Sequence, residues 1–161
     1  MQMLKDAILE RGKALNQDVL LVDSFLNHQV DVALMEKIGE EFAKYFADRG
    51  ITRVVTIESS GIAPASFTAL ALGLPLVIMK KQTSRILKGD LLQTTVRSFT
   101  KGTQYELTVK REFLPAGEKI LLIDDIYTTG STLDGVTEAL LASGVRQVYC
   151  LTVCAGREKH V

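Results

Sequence analysis

Two adjacent carboxylates followed by a turn of small hydroxylated residues carry the clearest chemistry in this sequence: Asp124-Asp125-Ile126-Tyr127-Thr128-Thr129-Gly130-Ser131-Thr132. Backbone N–H groups and hydroxyls in such a turn can converge on a phosphate, and a helix that starts there adds partial positive charge. Paired aspartates beside that anion can accept hydrogen bonds from two sugar hydroxyls. A sugar phosphate is the ligand that uses both halves. Either half alone reads as readily as a strand-ending aspartate, or as a turn with an N-cap. Together, between strand and helix, they sit where α/β folds bind ligands. The lysine of a nucleoside-triphosphate P-loop is missing, which excludes that motif.

A second loop, Glu58-Ser59-Ser60-Gly61-Ile62-Ala63-Pro64, follows an apolar strand pattern. Gly61 permits close backbone approach, so exposed amides there could hold another anion such as a diphosphate. An ordinary turn with an N-cap is the competing reading. Lys80 and Lys81 end the next strand, either as a solvated basic end or as neutralising charge for that anion. Arg97 and Lys101 fall on a polar, alternating stretch and could bring charge over a departing anion, or simply face water. His28 and His160 are too isolated for a metal cluster, and Ser131 has no identifiable base for acyl chemistry.

The elements that must position these residues alternate. Residues 4–11 read as a short helix closed by Gly12, and residues 19–22 as a short strand. Leu34, Ile38, Phe42 and Phe46 recur at helical spacing until Gly50. Strand patterns at 53–57, 75–79, 119–123 and 147–153 alternate with helical ones at 63–72 and 133–142. Near-continuous apolar strands in such an order predict an α/β fold with a mostly parallel sheet covered on both faces. Residues 93–100 and 105–109 around Gly102 read as a hairpin projecting from the sheet, a candidate lid. Phe25 and Leu26 interrupt a polar stretch and form a candidate interface patch.

At 161 residues the chain fits one domain, and its 19 basic and 19 acidic residues leave no field to recruit nucleic acid or a membrane surface. No apolar stretch reaches membrane-spanning length, and the N-terminus does not read as a signal peptide. Cys150 and Cys154 lie about 13 Å apart on an extended strand, too far to bridge. They read as small core residues in a reducing compartment, so the expected location is cytoplasmic.

The aspartate-pair loop resembles that of the type I phosphoribosyltransferases. Val22-Asp23-Ser24-Phe25-Leu26-Asn27-His28-Gln29, the run from Val55 through Ala65, and Ser98-Phe99-Thr100-Lys101 resemble the bacterial xanthine phosphoribosyltransferases. That likeness covers residues 1 to about 125. Residues from about 120 to 161 look more like general or competence-associated phosphoribosyltransferase-like proteins, as in a composite or shortened chain.

The resemblance implies one phosphoribosyltransferase domain over 1–161, with residues 1–30 on the base side and 80–110 as the lid. It implies transfer of phosphoribosyl from 5-phosphoribosyl 1-diphosphate to xanthine, with guanine or hypoxanthine as further candidates. Thr128, Thr129, Gly130, Ser131 and Thr132 would hold the 5′-phosphate, Asp124 and Asp125 the ribose hydroxyls, and Glu58, Ser59, Ser60 and Gly61 the diphosphate, with Lys80 and Lys81 beside it. Lys101 would close over the reacting centre, and Leu20 and Asn27 would contact the base. Mg²⁺ would travel on the substrate's oxygens rather than on protein ligands. A homodimer is expected. The alternative is a non-catalytic ribose-phosphate-binding protein of the competence-associated type. At the position where the xanthine enzymes supply a lysine to the base stands Gly156, with Arg157 and Lys159 nearby.

Overall fold

The computed structural model describes residues 1–15, 20–81, 89–97, 104–127 and 129–155. Helix α1 (Gln2–Arg11) closes at Gly12, and the two-residue strands β1 (Lys13–Ala14) and β2 (Leu20–Leu21) pair antiparallel. A π-helical turn, Asp23–Asn27, leads to α2 (Val32–Phe46), which starts at Asp31: its carboxylate accepts the Leu34 N–H at 3.1 Å. Then come β3 (Arg53–Ile57), α3 (Ile62–Leu72) and β4 (Leu76–Met79). The hairpin strands β5 (Leu91–Arg97) and β6 (Gln104–Lys110) precede β7 (Lys119–Tyr127), α4 (Ser131–Ala142) and β8 (Gln147–Ala155).

The main sheet has the order β4-β3-β7-β8 and every pairing in it is parallel. Alternation along the central strands sorts its side chains into two layers. Val54, Leu121 and Ile123 pack with Phe46, Ala65 and Ala69, residues of α2 and α3. Val55, Ile57, Ile120 and Leu122 pack with Leu133, Val136 and Leu140 of α4. The expected sheet covered on both faces is therefore present. A third cluster gathers Leu4, Val22, Phe25, Leu26, Met35, Ile38, Val153 and Cys154, seating the N-terminal segment beside the end of β8.

Four local expectations are corrected. Strand β7 runs on through both aspartates to Tyr127 because β8 lengthens with it, pairing Asp124 with Thr152 and Tyr127 with Ala155. The hairpin arms do not stand clear of the core: Leu92, Val96, Leu107 and Val109 alternate toward one side and are buried in the α4 layer. Two 2.9 Å backbone hydrogen bonds between Lys80 and Thr108 fasten β6 to the end of β4. The hairpin's connecting residues, Gly102 among them, lie outside the described residues. Phe25 and Leu26 are fully buried, so they form core rather than an interface patch. Cys150 is exposed while Cys154 is buried, because they stand at different depths along β8.

Helices α2 and α3 touch closely at Gly39. A Cβ there would stand 2.5 Å from the Phe67 carbonyl carbon and 2.7 Å from its oxygen. Gly39→Ala is therefore expected to lower unfolding free energy by about 1–3 kcal/mol through overpacking, although alanine is the better helix former. The urea midpoint measures this, and an unchanged midpoint would show that the two helices separate without cost.

Candidate active site

The site begins where the two central strands part. Pairing of β3 with β7 ends at Thr56 and Ile123, and there the buried Thr56 hydroxyl donates to the Ile123 carbonyl at 2.7 Å. Beyond that point β3 turns into α3, while β7 continues with β8 alone. Parting strands leave a crevice at the carboxyl edge of a parallel sheet. Gly61 fits inside the split: a Cβ would collide with Thr56 Oγ1 and stand 3.0 Å from the Ile123 carbonyl oxygen and 3.4 Å from Asp124 Cα. The close approach expected at Gly61 is thus made to β3 and β7.

Asp124 and Asp125 are the first residues of β7 past the split. The Asp125 N–H donates to Asp124 Oδ1 at 2.9 Å, and Asn27 Nδ2 donates to Asp125 Oδ2 at 3.5 Å. Burial, and then the charge of Asp125, push the Asp124 carboxyl up to about 7, against a lesser pull from Lys81. Asn27 reaches this pair because its own segment is pinned. Phe25 and Leu26 are buried beside it, Arg11 pairs with Asp31 at 2.6 Å and donates to the Ser24 carbonyl at 3.0 Å, and its guanidinium lies 5.2 Å from the Phe25 ring centre. Leu20, half-buried, packs against the same N-terminal cluster.

At the far end, Gly130 takes φ 79°, a left-handed conformation, to turn the chain into α4, and its carbonyl accepts the Asp134 N–H at 2.8 Å. The Thr129 and Ser131 hydroxyls are 3.1 Å apart. A cavity of about 20 Å³, lined by Asp124, Ile126, Tyr127, Gly130, Thr132 and Leu133, opens between the aspartates and the helix. Hydroxyls, a helix start and two carboxylates therefore meet within one short stretch of chain. Thr128 lies outside the described residues.

The second loop faces the same edge. The Glu58–Ser59 peptide is cis, and the Ile62 N–H donates to the Ser59 carbonyl at 3.1 Å. Ser59 is exposed and Ser60 half-buried. The Glu58 carboxylate accepts the Lys81 N–H at 3.2 Å and pairs with Lys80 Nζ at 3.3 Å, and these contacts hold it below the usual range. Glu58 thus ties its loop to the end of β4, and Lys80 answers that carboxylate. Lys101 lies outside the described residues, as does the side chain of Arg97.

Two residues belong to this neighbourhood that the sequence did not mark. Tyr105 on β6 feels both aspartates; burial above all raises its phenol, against a lesser pull from Thr132. Lys81 Nζ sits 5.4 Å from the centre of the Tyr105 ring. The signal was the i, i+2 series Tyr105, Leu107, Val109, which turns one face of β6 inward. Cys154 is the other. Burial, with the Asp125 charge second, pushes its thiol up to about 11, so it is a neutral wall and not a nucleophile. Among the described residues no three His, Cys, Asp or Glu cluster as metal ligands, and no helix is long and apolar enough to cross a membrane.

Residues 22–161 match the phosphoribosyl transferase domain model. This chain belongs to the phosphoribosyltransferase family. It is 52% identical over 146 residues to a protein named xanthine phosphoribosyltransferase from Clostridium botulinum, covering 91% of this chain and 77% of that one. A xanthine phosphoribosyltransferase from Listeria monocytogenes is 46% identical over 91% of this chain and 76% of its own length. A match of 146 residues in a chain of 161 cannot end before residue 146, so the likeness continues past the boundary near 125 expected from the sequence. Among solved structures, adenine phosphoribosyltransferase from Giardia lamblia superposes with a TM-score of 0.74 at 19% identity, covering 96% of this chain and 98% of that one. The Saccharomyces cerevisiae enzyme gives 0.74 at 18% identity over 96% and 90%. These two show the phosphoribosyltransferase fold.

The raised Asp124 carboxyl makes stability depend on pH. Its folded value of about 7 exceeds the ordinary 3.8, so between those limits the folded state binds more protons than the unfolded state. Stability contributed by Asp124 therefore falls as pH rises through that window. Asp124→Asn, which keeps an oxygen for the Asp125 N–H, should raise Tm over the wild type at pH 8, with the gain fading toward pH 4. A gain independent of pH would contradict the assignment.

Proposed function

We propose that this phosphoribosyltransferase serves purine salvage, transferring phosphoribosyl from 5-phosphoribosyl 1-diphosphate to xanthine and releasing diphosphate. The observation that carries the reading is the aspartate pair at the split of β3 and β7, next to the start of α4, in a chain about half identical to proteins named for that reaction. Asp124 and Asp125 accept the ribose hydroxyls, and Thr128, Thr129, Gly130, Ser131 and Thr132 hold the 5′-phosphate against the helix N-terminus. Glu58, Ser59, Ser60 and Gly61 present loop amides to the diphosphate, with Lys81 as the nearby cation. Leu20 and Asn27 face the base.

As the C1–O bond to diphosphate breaks and a purine nitrogen bonds C1, positive charge develops on the ribose. Two carboxylates in a half-buried crevice stabilise that charge, and the hairpin that carries Lys101 keeps water from it. Mg²⁺ would be carried by the substrate rather than by dedicated protein ligands, with Asp124 and Asp125 as the nearby hard carboxylates, and would supply charge neutralisation on the leaving group. We place the enzyme in the cytoplasm as a homodimer.

A spectrophotometric assay with 5-phosphoribosyl 1-diphosphate, Mg²⁺ and each of xanthine, guanine, hypoxanthine and adenine tests the reading. Turnover is expected with xanthine, lost on chelation by EDTA, and reduced at least about 100-fold in Asp124→Asn/Asp125→Asn. Saturable binding of the diphosphate substrate without turnover on any base would make the chain a binding protein instead.

A further inference from the structure

The turn that ends at Asn27 is the least ordinary piece of backbone beside the aspartate pair. Asp23–Asn27 winds as a π-helical turn, a rare local conformation that recurs at functional sites. Its last residue meets Asp125, whereas the cavity toward α4 is lined by Asp124 and not by Asp125. A ribose that lays its hydroxyls on the pair, with its 5′-phosphate at the start of α4, carries C1 toward the Asn27 side. Of the two groups at C1, the diphosphate has the Glu58 loop, which leaves the base to the Asn27 turn.

Arg11, in the last turn of α1, grips this turn from outside. Its Nη2 donates to the Ser24 carbonyl at 3.0 Å while Nη1 donates to Asp31 Oδ2 at 2.6 Å, and its guanidinium lies 5.2 Å from the Phe25 ring centre. The Ser24 hydroxyl returns a hydrogen bond to the Arg11 carbonyl at 3.3 Å. Asp31 is itself fixed: its other oxygen caps α2 through the Leu34 N–H, and its own N–H donates to the Phe25 carbonyl at 3.0 Å. Only a planar fork spans the turn and the helix cap at once. The Arg11–Asp31 pair is partly exposed, and pairs of that kind contribute little to stability. Its placement is better explained by what it orients. We propose that Arg11 is a positioning residue for the purine base: by clamping the Asp23–Asn27 turn between α1 and the cap of α2, it sets the Asn27 carboxamide on the base side of the aspartate pair. This rests on the phosphoribosyl reading of the site and adds to it a residue that touches no substrate.

Steady-state kinetics of the full chain test it. Arg11→Met keeps an apolar stem against the Phe25 ring and removes the fork. KM for xanthine is expected to rise about five- to tenfold, with kcat and the KM for 5-phosphoribosyl 1-diphosphate unchanged. Arg11→Lys, which keeps the charge for Asp31 and loses the second arm, decides the matter if Arg11→Met does not fold: the same KM should rise, by less. In an Asn27→Ala background Arg11→Met should add nothing further, because Arg11 acts through Asn27. A merely structural arginine would lower Tm and leave the xanthine KM unchanged, or raise both KM values together. Either result, or effects of Arg11→Met and Asn27→Ala that simply multiply, would overturn the proposal while leaving the function intact. A wild-type chain that turns over no purine base would overturn the function, and this proposal with it.

Discussion

The hydrogen bond from the Thr56 hydroxyl to the Ile123 carbonyl marks the constraint on which the site depends: the last point at which β3 and β7 run together. Both strands are buried on both faces, so their backbone groups must pair with neighbouring strands up to the point where they separate. Thr56 and Ile123 are themselves fully buried, and the polar Thr56 side chain is satisfied by closing the end of the ladder. One residue further along β7 stands Asp124. Gly61, with no Cβ to collide with Thr56, allows the start of α3 to enter the opening. The crevice is therefore a consequence of how a two-layered parallel sheet terminates.

Electrostatics within that crevice work against folding and in favour of a ligand. Two carboxylates in sequence, one of them buried enough to be raised to about 7, cost stability at neutral pH. Nothing in the core requires an acid there, since Ile123 and Ile126 on either side are ordinary apolar residues. A raised carboxyl beside a second acid at the carboxyl end of a parallel sheet marks this crevice as the candidate site. Asn27, held by the buried Phe25–Leu26 pair and by Arg11, meets Asp125 from 98 positions away.

The hairpin joins these two themes. Its apolar face is part of the α4 layer, so its arms are set by the core, and Tyr105 packs on that layer within reach of both aspartates.

Much of this was legible in the residues. Strands and helices followed from apolar periodicity, because burial on one or both faces leaves a repeat of 2 or 3.6 in the chain. The aspartate pair with its hydroxyl turn was legible because each residue type has few other uses in that order. Strand ends were not legible: β7 extends to Tyr127 only because β8 matches its length, and pairing partners are set by contacts far apart in sequence. For the same reason Phe25 and Leu26 looked like surface and proved to be core, and the hairpin looked separate until Leu92, Val96, Leu107 and Val109 met α4. Residue type and spacing determined which groups could bind a sugar phosphate. Tertiary packing alone decided that Asn27, Tyr105 and Cys154 stand beside them, since proximity across the chain leaves no local pattern to read.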